Sequence, residues 1–246
     1  MSKIFVKPEN IHEAHIDIDN QEDINHIIKV LRLCENDIII VCDGNGQDYK
    51  ASVEKIGKKV ITAKKLEKKV SLAEPSIDVT LYQGIPKSSK MEYIIQKTTE
   101  LGIRRIVPVM TKRTIVQLDT KSTKNKLQRW QRIAYEAAKQ SNRGRIPVVY
   151  APVDFKQALQ QMKDLDLSIV PYEKEQKGKL KHILCNPAIT KRTIGIFIGP
   201  EGGFEQEEIE SAIQEGIYPV TLGPRILRTE TAGMATLAVI MYEIGG

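Results

Sequence analysis

Ile198-Gly199-Pro200-Glu201-Gly202-Gly203-Phe204 and, one strand further on, Leu222-Gly223-Pro224-Arg225-Ile226-Leu227-Arg228-Thr229-Glu230-Thr231-Ala232 are two glycine-punctuated stretches, each following a short apolar run and opening into a helical pattern. Glycine at a strand exit lets the backbone come close to a ligand, and the helix that follows offers it unpaired N–H groups. A single Gly-Pro pair is ordinarily just a turn. Two such loops, one strand apart, read as two walls of one ligand site.

Working outward, the chain from Ile77 onward alternates short apolar runs with helical patterns. Strands are expected at 79–83, 103–109, 147–150, 167–170, 194–198 and 219–222. Between them, Met91, Ile94, Ile95, Thr98 and Leu101 share a helical face that Gly102 stops; Trp130, Ile133 and Ala137 share a second, and Phe155, Leu159 and Met162 a third. This alternation predicts an α/β domain with a mainly parallel sheet and helices on both faces. Ligands of such sheets sit outside the carboxyl ends of the strands, where both glycine loops fall. Residues 173–181 are polar and lysine-rich, and are expected to be a mobile surface loop. Residues 232–242 are apolar nearly all round through Met234, Leu237, Ala238, Val239, Ile240 and Met241, so this helix must be buried on more than one side, either within the domain core or against a second subunit.

Residues 1–73 read differently. Short runs at 38–41, 49–56 and 60–63, with an Asp43-Gly44-Asn45-Gly46 turn among them, indicate a small β-barrel, and Ile24, Ile27, Ile28 and Leu31 keep the spacing of one short helix packed on it. The pattern changes at Glu74-Pro75-Ser76, which sets the expected domains at 1–73 and 74–246. There is no internal repeat.

At 246 residues, two domains could each bury a core. The net charge of +6 is unevenly spread: residues 1–49 hold 4 Lys/Arg against 10 Asp/Glu, residues 50–69 hold 8 against 2, and residues 87–145 hold 15 against 4. A concentration like the last attracts phosphate backbones. The lysine pairs of 50–69 fit a solvated face equally well. Cys34, Cys42 and Cys185 form no C-x-x-C pair, which argues against a disulfide framework or a zinc site. His12, His15, His26 and His182 show neither metal-ligand spacing nor a partnered nucleophile, so they are expected to be surface or barrel residues and no metal is expected. Charged or polar residues interrupt every apolar run in the first thirty positions, and no run approaches the length of a membrane span, so a cytoplasmic protein without a membrane partner is expected.

Motifs along the whole chain occur in a familiar order. The two glycine loops, Gln96-Lys97 with Glu100-Leu101-Gly102, Glu136-Ala137 with Gln140-Ser141 and Arg143, and His26 with Val30-Leu31-Arg32 together resemble the bacterial uridine-N3 methyltransferases of small-subunit (16S) ribosomal RNA, the RsmE type, within the knotted SPOUT superfamily. The chain departs from the pattern at Lys3-Ile4-Phe5, where an arginine often precedes the aromatic, and at Asn36-Asp37, where Gly-Asp is usual. Both bear on RNA contacts or a turn and leave the transfer site untouched. The resemblance implies a PUA- or OB-like barrel that binds RNA, a C-terminal domain with a trefoil knot, bent S-adenosyl-L-methionine as cofactor, ribosomal RNA as substrate, and a homodimer in which helix 232–242 forms the interface.

The residues themselves support a pocket. No G-x-G-x-x-G follows the first strand of the α/β domain and no P-loop is present, so dinucleotide and nucleotide-triphosphate sites lose their usual support. Gly199, Pro200, Glu201, Gly202 and Gly203 offer close backbone approach, and Leu222, Gly223, Ile226, Leu227, Thr231 and Ala232 a largely apolar second wall. Methylation at N3 requires loss of the N3 proton, and Arg228, between that wall and the last helix, is the expected catalytic residue that stabilises the uridinate oxygens or holds a phosphate. Its alternative role is to anchor the loop on Glu230. Glu201 and Glu230, the only acids of the two loops, are the candidates to take the proton, although binding backbone N–H groups suits Glu201 better and capping the last helix suits Glu230 better. Arg32, Lys87, Lys90, Arg113, Arg132, Arg143 and Arg145 are the expected RNA contacts. Two other readings remain: a non-catalytic ribosome-assembly factor, which leaves the glycine loops unexplained, and a methyltransferase acting on ribose 2′-oxygen or transfer RNA.

Overall fold

The computed structural model describes residues 3–115 and 120–246. The chain divides into two compact units, Met1–Glu74 with Ala138–Ile146, and Pro75–Ala137 with Pro147–Gly246.

The first unit is a five-stranded sheet, β1 (Lys3–Phe5), β2 (His15–Ile18), β3 (Ile38–Cys42), β4 (Gln47–Ile56) and β5 (Ile61–Val70), in the order β1-β3-β4-β5-β2. Only the β1–β3 pair is parallel. Irregularities between Lys50 and Ala51 and between Val53 and Lys55 bend the long β4–β5 ribbon, since each extra residue adds local twist. The expected barrel is thus a curled sheet, a half-barrel. Tyr49, Ala51 and Val53 alternate into its core with Ile61 and Ala63 from β5, the period of two that a half-buried strand requires. The expected helix is α1 (Gln21–Asn25), capped by the Asn20 side chain, which accepts from the N–H of Glu22 and Asp23. It widens into a π-helical turn at His26–Leu31, so Ile24 and Ile27 stay buried while Ile28 turns outward.

Both departures from the family pattern are structural. Asn36 has φ 73°, the left-handed turn conformation that asparagine tolerates better than most residues. The Lys3 ammonium is held internally, 2.8 Å from Asp48 Oδ2 and 2.8 Å from Ser71 Oγ.

The second unit is an all-parallel seven-stranded sheet: β6 (Asp78–Gly84), β7 (Arg105–Met110), β8 (Val148–Val149), β9 (Val153–Asp154), β10 (Leu167–Pro171), β11 (Thr193–Ile198) and β12 (Tyr218–Val220). The order is β12-β10-β11-β6-β7-β8, with β9 also on β7. Helices α2 (Lys90–Glu100), α3 (Thr120–Gln140), α5 (Leu180–Leu184) and α7 (Thr229–Ile244) cover one face; α4 (Phe155–Lys163) and α6 (Gln206–Gln214) cover the other. The pleat sorts the strand residues: Leu81, Ile106, Ile169 and Ile196 enter the first layer, and their neighbours Tyr82, Val107, Val170 and Phe197 the second. Each fully buried side chain of this size contributes about 1.5–3 kcal/mol. The loop expected to be mobile forms a turn in which Glu175 Oε1 accepts the N–H of Lys177 and Gly178, and the N–H of Thr221 reaches Gly178 O.

Candidate active site

Strands β6 and β11 run in register to Gln83 opposite Ile198, so they end at the same level and release their loops side by side. Gln83 is fully buried there, and its Nε2 donates to Gly84 O at 3.0 Å and to Thr229 Oγ1 at 2.9 Å. The Thr229 hydroxyl in turn donates to Gly199 O. One amide and one hydroxyl therefore tie the end of β6, the first glycine loop and the start of α7 together. At Gly84 there is no space for a side chain, since a Cβ would lie 2.6 Å from both Cδ and N of Pro200. At Gly199 it would lie 3.0 Å from the Gly203 backbone. Gly203 and Gly223 have φ 69° and 100°, left-handed values that favour glycine.

Between the loops lies a cavity of about 500 Å³, within the range of small-ligand sites. Of the residues expected at a ligand, Gly199, Pro200, Glu201, Gly202, Gly203, Ile226, Leu227, Arg228 and Ala232 line it. Leu222 and Gly223 line a smaller adjoining hollow that shares Ile226, Leu227, Ala232, Pro171 and Glu173 with the first. Thr231 is exposed and lines neither. At Gly202 a Cβ would meet Arg113 at 3.2 Å.

Charge in the cavity centres on Lys90. Its ammonium is 3.1 Å from Glu201 Oε1 and 3.5 Å from Glu230 Oε2, and the hydrogen bond to Glu201 raises its pKa. For Glu201, burial pushes the carboxyl up, but its own N–H, Lys90 and the N–H of Lys87 outweigh this and hold it below the usual range. Both acids thus sit on one lysine, and Arg228 is not anchored on Glu230. Arg228 is exposed, begins α7 without capping it, and has no side-chain partner among the described residues.

The basic residues divide. Arg32, Lys87 and Arg132 are exposed, and Arg145 is half-buried with Nε donating to Asn45 O at 3.3 Å. Arg143 is a correction: it is 2% exposed and its Nη2 lies 2.7 Å from Glu74 Oε2, while Glu74 Oε1 accepts the N–H of Gly144 and Arg145. A guanidinium spent on a buried carboxylate cannot meet a phosphate. Arg113 is likewise engaged, with Nε and Nη2 on Glu205 at 2.8 and 3.0 Å and Nη1 on Gly202 O, so it braces the first glycine loop. Lys90, expected on RNA, lines the cavity. Of the four histidines, His12 and His15 lie exposed or half-buried at the start of β2, beside Asp17.

Sequence reasoning missed Gln83, Gly84, Pro171 and Glu173, and gave no individual role to Ile198, Phe204 and Thr229 although all three lie in the two glycine stretches. Gln83 left a signal, a polar residue ending an apolar strand run. Pro171 and Glu173 left none, since they reach the cavity only because β10 lies next to β11.

Comparison with known proteins agrees with this geometry. The family described as the RNA methyltransferase domain matches residues 73–241, and the RNA methyltransferase PUA domain matches residues 18–66. The chain is 36% identical over 248 residues to ribosomal RNA small subunit methyltransferase E of Bacillus subtilis, covering 99% of this chain and 97% of that one. It is also 36% identical to the protein of the same name from Synechocystis, covering 97% and 76% of the two chains. The crystal structure of ribosomal RNA small subunit methyltransferase E from Neisseria gonorrhoeae bound to S-adenosyl methionine superposes with a TM-score of 0.86 at 30% identity, covering 100% of this chain and 98% of that one. With the half-barrel, the parallel sheet and the paired glycine loops all in place, the chain belongs to the ribosomal RNA small subunit methyltransferase E family.

Proposed function

We propose that this chain is an S-adenosylmethionine-dependent methyltransferase acting on uridine N3 of small-subunit ribosomal RNA, working in the cytoplasm as a homodimer. The observation that carries the reading is the cavity between the two glycine loops, in a relative of a protein solved with S-adenosyl methionine bound. Its residues fit that cofactor. Ile198, Phe204, Ile226 and Leu227 supply apolar wall for an adenine, and the Gly199–Gly203 loop presents bare backbone to read its edge. The uncapped start of α7 favours a carboxylate nearby. S-adenosylmethionine supplies a methyl group already activated on a sulfonium.

The protein's own part is alignment and charge. Arg228 holds its fork free at the cavity mouth and stabilises the oxygens of the uridine as N3 loses its proton. Glu201 and Glu230 both pair with Lys90 and shape the loops; for Glu201, a carboxyl held below its ordinary pKa is a poor base. RNA phosphates meet Arg32, Lys87, Arg132 and Arg145. A second copy covers the outer face of α7, where Val239 and Tyr242 are 42% and 89% exposed on a helix apolar all round.

The test is kinetic. Arg228→Ala should lower the transfer rate roughly hundredfold, the scale of losing one charge-stabilising donor, with cofactor affinity measured by calorimetry nearly unchanged. Arg228→Lys should restore only part, because a point charge cannot replace a planar fork. Equal losses of affinity and rate would make Arg228 a binding residue. Mapping the methyl on ribosomal RNA from a strain lacking and regaining the gene decides the target, and a methyl on ribose or transfer RNA would refute it.

A further inference from the structure

The start of β2 gathers three metal-ligating side chains. The His12 N–H donates to His15 O at 2.9 Å and Ile11 bridges to Ile16, which closes a tight reverse turn and sets His12 beside His15. Strand alternation then puts Asp17 on the same face as His15. The two imidazoles stack with centroids 4.4 Å apart, and Asp17 Oδ2 lies 3.4 Å from His12 Nε2 and 3.8 Å from His15 Nε2. One donor atom from each of the three falls within 4.8 Å of the others.

We propose that His12, His15 and Asp17 form a surface site for one divalent transition-metal ion of the zinc class, with water completing its coordination. Bonds of about 2.0–2.1 Å in a tetrahedron separate donors by roughly 3.3 Å, so the His12 to Asp17 spacing already suits an ion and His15 needs only a small shift. The other Asp17 oxygen, Oδ1, accepts the Thr62 hydroxyl at 3.0 Å across the β2–β5 pair. That bond orients the carboxylate and leaves Oδ2 for the metal, as outer partners do in established sites. Two imidazoles and one carboxylate suit zinc and its neighbours, whereas magnesium and calcium prefer all-oxygen sites. Lys65 spends its ammonium on His12 O at 2.9 Å, and Lys64, opposite His15, is exposed and extends into solvent. Their charges weaken the site without blocking it.

Zinc titrated by calorimetry into the full-length, chelator-stripped protein should bind one ion per chain at this site. His12→Ala, His15→Ala and Asp17→Asn should each weaken binding at least tenfold, and Thr62→Val by a smaller factor. All three ligands are partly or fully exposed, so these variants keep the fold. The competing ligands are the exposed thiols of Cys34 and Cys185, and a Cys34→Ser/Cys185→Ser protein should bind zinc as the wild type does. The proposal is overturned if the wild type binds no zinc, if binding survives the His12→Ala/His15→Ala double variant, or if it vanishes with the two serines.

Discussion

Replacing Gly84 by alanine adds a single methyl group where β6 releases its chain against the first glycine loop. The new Cβ would sit 2.6 Å from both Cδ and N of Pro200 and 3.0 Å from C of Gly199. These are backbone and ring atoms, so no flexible side chain can yield, and Pro200 must retreat by about 0.8 Å to regain the ordinary 3.4 Å contact. Overpacking of this kind costs about 1–3 kcal/mol, which for a chain of this size lowers Tm by roughly 2–12 °C. The larger effect should fall on the ligand. Gly199 and Pro200 line the cavity, and a loop shifted by nearly an ångström should weaken S-adenosylmethionine binding at least tenfold. Gly216→Ala is the control. Gly216 has φ 82° after α6 and open space where a Cβ would stand, so alanine there costs strain of about 1–2 kcal/mol without moving the cavity. Calorimetry and thermal unfolding of both variants decide the matter: the two should lose similar stability, and only Gly84→Ala should lose affinity. Unchanged affinity in Gly84→Ala would refute the packing argument.

Three further outcomes are expected. Gly223→Val forces a β-branched residue to φ near 100° and should abolish measurable cofactor binding while leaving RNA affinity intact; a folded variant with wild-type cofactor affinity would remove the second wall from the site. Arg143→Ala leaves Glu74 buried without its partner, and chemical denaturation should show a loss of about 3–5 kcal/mol, with the salt dependence of RNA binding unchanged, whereas a flattened salt slope would return Arg143 to the RNA interface. For Glu201, whose folded pKa is depressed, the stabilisation is present above the ordinary value of 4.5 and is lost as pH falls through the folded pKa. The Tm difference between wild type and Glu201→Gln should therefore be constant from pH 8 to 5 and shrink below about 4.5, and a difference that disappears already near pH 6 would contradict the depressed pKa.

The strands of the α/β unit were legible because a buried parallel strand is a short apolar run bounded by turns, and each of the six expected strands has its counterpart. The glycine loops were legible for a related reason, since few residues other than glycine serve where the backbone turns left-handed or meets another backbone. Charge was read less well. Arg113 and Arg143 look like any surface arginine in the sequence, and their carboxylate partners Glu205 and Glu74 stand 92 and 69 positions away. Likewise Lys90 carried nothing to show that it would bridge Glu201 and Glu230.

The sequence by itself determined the two kinds of architecture, the loops that make the cavity and the family, because periodicity, glycine placement and motif order are local properties of a chain. Tertiary structure alone decided which charges are spent internally and which face solvent. It also decided that Gln83 and Thr229 tie the end of β6, the first glycine loop and the start of α7 together, and that His12, His15 and Asp17 converge. The physical reason is that hydrogen bonds and ion pairs depend on distances of about 3 Å between groups far apart in the chain. Strand order and register set those distances, and composition records neither.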